Sequence, residues 1–97
     1  MVVRYHEAAA EELLREIAYL ELQARGLGGR FFDSVTSSEK QILKFPNSGR
    51  QVYPGIRRRL LRAFQYSLLY SMTEKGPLIL AVAHHRRRPG YWIGRLP

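Results

Sequence analysis

Hydrophobic residues at helical spacing mark two segments in the first half of the chain. The first segment is His6–Ala24, whose apolar positions recur three or four residues apart: Leu13, Ile17 and Leu20. The second is Gly29–Phe45, where we assign the buried side to Phe31, Phe32, Val35, Ile42 and Leu43. Its solvent side is assigned to Ser37, Ser38, Glu39 and Lys40. The short connection between the segments predicts an antiparallel helix hairpin.

The second half of the chain carries hydrophobic residues at strand spacing. It predicts three strands, Ile56–Phe64, Tyr66–Glu74 and Leu78–His85, with a turn at Lys75-Gly76-Pro77 before the third. In the second strand, one alternating row is predicted to face the hairpin: Tyr66, Leu68, Tyr70 and Met72. The other row is predicted to face outward: Gln65, Ser67, Leu69 and Ser71. The third strand is apolar on both faces, which predicts a central position or a covering partner.

Two shorter segments complete the order of elements. Met1–Tyr5 is β-prone and is predicted to be an edge or inserted strand, and Pro46–Gly55 is predicted to be a loop. The resulting order, β-α-α-β-β-β, predicts an α+β fold in which the helix hairpin packs on one face of a small, mainly antiparallel sheet. Residues 1–97 are expected to form one domain.

Charge is distributed unequally between the two halves. Residues 1–49 hold six Lys or Arg and seven Asp or Glu, whereas residues 50–97 hold ten Lys or Arg and only Glu74 as an acid, for a net charge of +8. A basic sheet favours an anionic partner, either nucleic acid or an acidic protein, although a solvated basic surface is the alternative.

Seven arginines flank the predicted sheet. Arg57, Arg58, Arg59 and Arg62 lie in the first strand, and Arg86, Arg87 and Arg88 follow the third. Because the first and third strands of an antiparallel meander run in the same direction, we expect Arg62 and the Arg86–Arg88 run to lie close together. Guanidinium groups at such a place bind carboxylates and phosphates alike.

Outside the arginines, few residues of the chain are candidates for metal binding, stacking or catalysis. The absence of cysteine excludes disulfides and thiolate metal sites. Adjacent strand residues point to opposite faces, so His84 and His85 are interpreted as structural rather than as metal ligands. Tyr91-Trp92 is interpreted as a lid folded back on the sheet, with base stacking as the alternative. Glu7, Glu11 and Glu12 are assigned only to the helix start.

Several classes of protein are not favoured. The chain has no Gly-rich phosphate loop, carboxylate pair or nucleophile triad, so no cofactor and no metal are expected. It has neither a signal peptide nor an apolar run of the length that a membrane span needs, so we expect a cytoplasmic protein without a membrane partner.

Two stretches of sequence resemble a known superfamily. The pattern FP…GR.V.PG.RR before the sheet and AVAHHRRRPGYW after its last strand are similar to the ParE/RelE toxins, and more so to the ParE branch of plasmid-stabilisation proteins. The resemblance implies a type II toxin–antitoxin system. It implies a cognate antitoxin whose C-terminal segment wraps the toxin, and whose other end binds operator DNA, so that the toxin meets this DNA only indirectly.

The two branches imply different targets. ParE-like toxins poison DNA gyrase by binding, whereas RelE-like toxins cut mRNA on the ribosome. A RelE-like reading implies the catalytic set Arg58, His84, His85, Arg86 and Tyr91. However, Ser67 falls where that branch carries a strand arginine, and a serine cannot stabilise phosphorane charge. We therefore favour the ParE-like function, with the ribosome-dependent endonuclease as the alternative and a stand-alone nucleic-acid-binding module as the second alternative.

The predicted binding surface follows from the same residues. For the target or the antitoxin, we expect contacts from Arg57, Arg58, Arg59, Arg62, Arg86, Arg87, Arg88 and Trp92. Carboxylates of the antitoxin are expected against the arginines, and apolar anchors against the helices or the sheet.

Overall fold

A computed structural model describes residues 2–96 and shows two helices on one face of a five-stranded sheet. The elements in chain order are β1 (Arg4–Tyr5), α1 (Glu7–Gln23), α2 (Leu27–Lys44), β2 (Arg50–Tyr53), β3 (Ile56–Leu60), β4 (Tyr66–Thr73), β5 (Gly76–His84) and a 3-10 turn at Ile93–Arg95. The strand order is β1-β5-β4-β3-β2, with β1 parallel to β5 and the other neighbours antiparallel. The predicted α+β architecture is confirmed. Met1, at the start of the predicted first strand, lies outside the described residues.

The predicted strand boundaries differ most from the structure at three places. The expected loop Pro46–Gly55 contains the edge strand β2, whose four residues are all exposed and which pairs with β3 through a bulge at Val52. β3 ends at Leu60 instead of Phe64, because the chain turns there and Ala63 adopts a φ of 65°. Gly76 and Pro77 belong to β5 and not to the turn, since they pair with Thr73 and Met72 of β4. The Thr73 hydroxyl also donates to the Gly76 carbonyl at 2.7 Å.

The helix faces agree with the pattern in α1 and differ from it in α2. Leu13, Ile17 and Leu20 pack against the core as predicted. The buried face of α2 consists of residues at helical spacing that include a serine: Phe31, Val35, Ser38 and Ile42. Phe32 and Leu43 were wrongly assigned to it and are 48% and 39% exposed. With two adjacent phenylalanines, the pattern alone did not decide which one faces inward.

The connection between α1 and α2 is stabilised by the Glu21 carboxylate, and a glycine in α2 allows the two helix backbones to pack closely. Glu21 near the end of α1 accepts hydrogen bonds from the Gly26 and Gly28 amides at 2.9 and 3.0 Å. Gly26 adopts a φ of +84°, which glycine tolerates without strain. A Cβ at position 28 would lie 2.6 Å from the Ile17 carbonyl oxygen, so glycine is also what lets α2 pass so close to α1.

The sheet has a core on each of its faces. On the hairpin face lie Tyr66, Leu68 and Tyr70, as predicted, whereas Met72 near the end of β4 is 42% exposed and was wrongly placed there. The opposite core contains Ile56, Leu69, Leu80, Ala81 and Trp92. A bulge opposite Leu69 and Tyr70 lets the adjacent residues Leu80 and Ala81 both join this second core.

The C-terminal segment explains why β5 is apolar on both faces. β5 lies between β1 and β4, and Trp92, which is 7% exposed, covers its outer face. The lid interpretation of Tyr91-Trp92 is therefore confirmed. Ser67 and Ser71 were predicted to face outward to solvent, but they are only 2% and 7% exposed. The chain itself buries β5, and no partner is needed to explain its composition.

Tyrosine hydroxyls and helix carboxylates link the hairpin to the rest of the fold. Tyr5 of β1 donates to Glu39 of α2 at 2.6 Å, and Tyr66 of β4 donates to Glu16 of α1. Both carboxylates thus face the sheet, and the assignment of Glu39 to the solvent side of α2 was wrong. Within residues 2–96, neither helix is long and apolar enough to cross a membrane.

Candidate functional site

Two concave basic surfaces lie on opposite faces of the sheet. The first, here the hairpin groove, runs between α2 and the end of β3 with a volume of about 860 Å³, and its charged and apolar side chains include Leu27, Arg30, Asp33, Arg59, Leu60, Arg62 and Phe64. The second, here the sheet pocket, has a volume of about 260 Å³ and is formed by residues that include Arg58, Ser67, His85, Arg87, Arg88 and Tyr91. Alternation along β3 divides its arginines between these surfaces.

The hairpin groove combines exposed apolar groups with positive charge. Leu60 is 57% exposed, although it lies in a strand. The Ser34 hydroxyl of α2 donates to the Arg62 carbonyl at 3.2 Å and fixes the turn after β3 against the helix. Arg59 donates to the Ser48 hydroxyl at 2.9 Å. The groove therefore combines apolar side chains with arginines, of which the Arg59 guanidinium is held in place by a hydrogen bond.

Arg57 has a structural role on the same face of β3. Its guanidinium donates to the Asn47 carbonyl at 3.1 Å and to the Gly49 carbonyl at 2.7 Å. These bonds hold the loop before β2, and they leave less of this guanidinium for a partner than the sequence suggested.

The sheet pocket is built around a serine–histidine contact. Ser67 of β4 lies 3.0 Å from His85, between the hydroxyl oxygen and Nε2. Arg58 reaches this place from β3, and Arg87 and Arg88 reach it from the segment that follows β5. The Arg87 guanidinium lies over the Tyr91 ring at 3.9 Å from its centroid, so its position is constrained.

The expected convergence of Arg62 with the Arg86–Arg88 run was wrong. β3 and β5 do run in the same direction, but Arg62 lines the groove on the hairpin side, while Arg87 and Arg88 line the pocket on the other side. The strand arginine that joins them is Arg58, because alternate residues of β3 point to opposite faces. Arg86 is exposed and its backbone amide donates to His84 Nδ1 at 3.0 Å.

The other predicted site residues are engaged within the fold. The His84 ring packs edge-on against Tyr66 at 4.9 Å, whereas His85 contacts Ser67, so the two imidazoles point to opposite faces as expected. The Tyr91 hydroxyl donates to Glu12 at 2.8 Å, and burial, together with this carboxylate, raises the pKa of Tyr91. Trp92 is buried, which contradicts its assignment to a docking surface.

Glu12 is the residue whose importance sequence reasoning missed. Its carboxylate is buried and accepts from the Val82 amide at 3.0 Å, while Arg95 donates to both of its oxygens at 2.8 and 2.9 Å. Burial alone would raise the pKa of the Glu12 carboxyl, but these hydrogen bonds lower it below its ordinary value. The signal in the sequence was its spacing, since Glu12 follows buried Ala9 by three residues and so shares its helix face.

Among residues 2–96, the arginines of both surfaces form no ion pair with a carboxylate. Within residues 2–96, the only ion pair joins Glu12 to Arg95. The guanidinium groups of the hairpin groove and of the sheet pocket thus form no ion pair inside the described fold, and their charge is available to an external anion.

Comparisons with known proteins agree with this architecture. A family model described as ParE toxin of type II toxin–antitoxin system, parDE, matches residues 3–89. A solved structure of the chromosomal ParDE TA system from P. aeruginosa matches with a TM-score of 0.71 and 18% sequence identity, over 87% of this chain and 95% of that one. No curated protein matches the sequence significantly. The family match spans most of the chain, including both helices and all strands of the sheet, and the chain therefore belongs to the ParE toxin family of type II toxin–antitoxin systems.

Proposed function

We propose that this protein arrests growth by binding DNA gyrase, and that a cognate antitoxin neutralises it. The observation that carries the proposal is the ParE family match over residues 3–89. Two residues at the end of the sheet support inhibition by binding over catalysis, because neither is suited to act on a substrate. Ser67 supplies no positive charge, and the Tyr91 hydroxyl is already bonded to Glu12.

The alternative of ribosome-dependent mRNA cleavage receives less support. It needs Arg58, His84, His85, Arg86 and Tyr91 to act on one phosphate. His84 lines the sheet pocket, but its ring packs edge-on against Tyr66 of the hairpin-face core, and Arg86 does not line the pocket. A tyrosine with a raised pKa whose hydroxyl donates to a carboxylate is a poor general base. The family match supports an antitoxin partner, which would account for the basic surface, so a stand-alone nucleic-acid-binding module ranks last.

The hairpin groove is the proposed docking surface for the antitoxin. The occupant is an acidic amphipathic segment, because the groove holds three arginines against Asp33 and is also lined by apolar residues, Leu27, Leu60 and Phe64. The apolar contacts contribute most of the affinity, while charge complementarity speeds association and fixes the register. Operator DNA is contacted by the antitoxin and not by this chain.

Expression of the chain alone is expected to stop growth of the host, because no antitoxin covers the toxin. Co-expression of the antitoxin, expected from a small adjacent gene with an acidic C-terminal segment, restores growth. A matched plasmid with an early stop codon controls for the burden of expression. Normal growth of cells that accumulate the folded chain would contradict the proposal.

A further inference from the structure

The solvent face of α1 carries hydrophobic residues that the fold leaves uncovered. Leu14 and Leu22 are 70% and 86% exposed, and exposed Ala18 lies midway between them, so the three share one face of the helix. The face of α1 that packs on the core is formed by other residues, which include Leu13, Ile17 and Leu20. We propose that Leu14, Ala18 and Leu22, here the α1 stripe, bind the same stripe of a second copy of this chain in an antiparallel helix pair.

The spacing of the α1 stripe is symmetric about its central residue. Each leucine lies four residues from Ala18, or about 6 Å along the axis at the usual helical rise. A two-fold axis at Ala18 therefore places Leu14 of one copy opposite Leu22 of the other, and the same contact forms a second time. One patch is thus complementary to itself, and the small alanine at its centre lets the two helices approach closely.

The charges at the two ends of α1 fit the same antiparallel arrangement. Glu7 and Glu11 are exposed near the start of the helix, at helical spacing from the α1 stripe. Arg25 is exposed two residues after the helix ends. Glu11 and Arg25 are each seven residues from Ala18, so the two-fold axis brings the acidic end of one helix towards the basic end of the other. A parallel pair would bring like charges together instead.

The charge of this face favours a second copy over the antitoxin. Between residues 11 and 25, the exposed charged residues are two acids and two bases: Glu11, Arg15, Glu21 and Arg25. A surface of balanced charge attracts an acidic segment less than the arginines of the hairpin groove do. No residue of α1 lines the groove or the sheet pocket, so a pair formed through this helix leaves both surfaces open.

The dimer is expected to be weak. One face of a 17-residue helix is smaller than a standard interface, and since standard interfaces start at micromolar affinity, we expect a dissociation constant above about 1 μM. The net charge of +8 also opposes association of two copies, but residues 1–49 hold seven acids against six bases, so the excess charge lies away from α1. This self-association goes beyond the proposed function and does not depend on gyrase or on the antitoxin.

The test is sedimentation equilibrium of the purified chain without antitoxin, from about 1 μM to about 1 mM. Leu22→Glu is expected to raise the dissociation constant at least about tenfold, because each dimer contains this apolar contact twice. Gln23→Glu is the matched control, since it adds the same charge at the next exposed residue, about 100° further round the helix. It is expected to change the dissociation constant less than about twofold, the size of effect usual for surface substitutions.

Cysteine variants test the register of the pair, because the chain has no cysteine of its own. Ala18→Cys is expected to form a disulfide with its own copy under mild oxidation, since the two positions meet at the axis. Leu14→Cys is expected to crosslink to Leu22→Cys in a mixture and much less to itself.

Three results would each overturn the proposal. They are a chain that stays monomeric up to about 1 mM, equal dissociation constants for Leu22→Glu and Gln23→Glu, and equal self-crosslinking of all three cysteine variants. If the chain is monomeric and added antitoxin protects Leu22→Cys from alkylation, the α1 stripe belongs to the antitoxin instead. Gyrase is absent from every one of these experiments, so such results would leave the proposed function standing.

Discussion

Replacement of Glu12 by glutamine is expected to lower the free energy of unfolding by about 3 kcal/mol, the usual cost of breaking a buried ion pair. Glu11→Gln is the matched control, because Glu11 is the preceding residue of α1 and is exposed. It is expected to change the free energy of unfolding by less than about 0.5 kcal/mol. Urea denaturation of both variants measures the difference.

The size of the expected effect follows from what Glu12 joins. β1 pairs with β5 only at Leu78 and Ile79, and beyond them side chains satisfy the backbone of β5 on that edge. Glu12 accepts from the Val82 amide at 3.0 Å, and Arg95 donates to the Leu80 carbonyl at 3.0 Å. A glutamine keeps the size of the side chain but leaves the guanidinium without its counter-charge. The C-terminal segment that covers the outer core then loses its attachment.

The same carboxylate predicts a dependence of stability on pH. Because the pKa of Glu12 in the folded protein lies below the ordinary value of 4.5, its stabilisation is fully present above that pH and is lost as the pH falls through the folded-state pKa. The acid limb of the stability curve is therefore expected to be shallower in Glu12→Gln than in the parent protein. Fluorescence of Trp92, the only tryptophan, reports release of the segment. Equal acid limbs in the two proteins would contradict this role of Glu12.

Charge reversal in the hairpin groove is expected to slow antitoxin binding strongly. Arg62→Glu combined with Arg59→Glu turns the groove from basic to acidic, so it repels a segment that carries carboxylates. Steered association typically exceeds unsteered association by about 10- to 1,000-fold, so we expect a fall of at least tenfold in the association rate at low salt. The effect is expected to shrink as salt screens the charges.

Two further variants serve as controls for the charge reversal in the groove. One changes an arginine outside the groove, and the other changes an apolar residue that lines it. Arg86→Glu changes an exposed arginine that lines neither concave surface, and it is expected to leave most of the association rate intact. Leu60→Ser is expected to act mainly on dissociation, because we propose this exposed leucine as an apolar anchor for the antitoxin. Association at the parent rate in the double reversal variant would move the docking site away from the groove.

The features that the sequence predicted correctly share a regular period. The alternation of Tyr66, Leu68 and Tyr70 identified the inner face of β4, and the spacing of Leu13, Ile17 and Leu20 identified that of α1. Such patterns are local, and burial of one face is enough to fix them.

The features that it missed depend on contacts between distant segments. Glu12 resembles any acidic residue near a helix start until Arg95, 83 residues later, folds against it. β2 has four exposed residues and thus no buried row to reveal a strand. A shift of one residue along β3 would change which arginine lies near Arg87 and Arg88. Because β3 ends at Leu60, Arg62 lies beyond the strand and on the hairpin side.

The most direct test of the proposed function is DNA supercoiling by purified gyrase in the presence of the purified chain. We expect supercoiling of relaxed plasmid to fall as the chain is added, and to recover when the antitoxin is bound to it beforehand. A parallel assay with translating ribosomes is expected to leave mRNA intact. Unchanged supercoiling at a large molar excess of folded protein, together with cleaved mRNA, would contradict the gyrase assignment and favour the ribosome-dependent alternative.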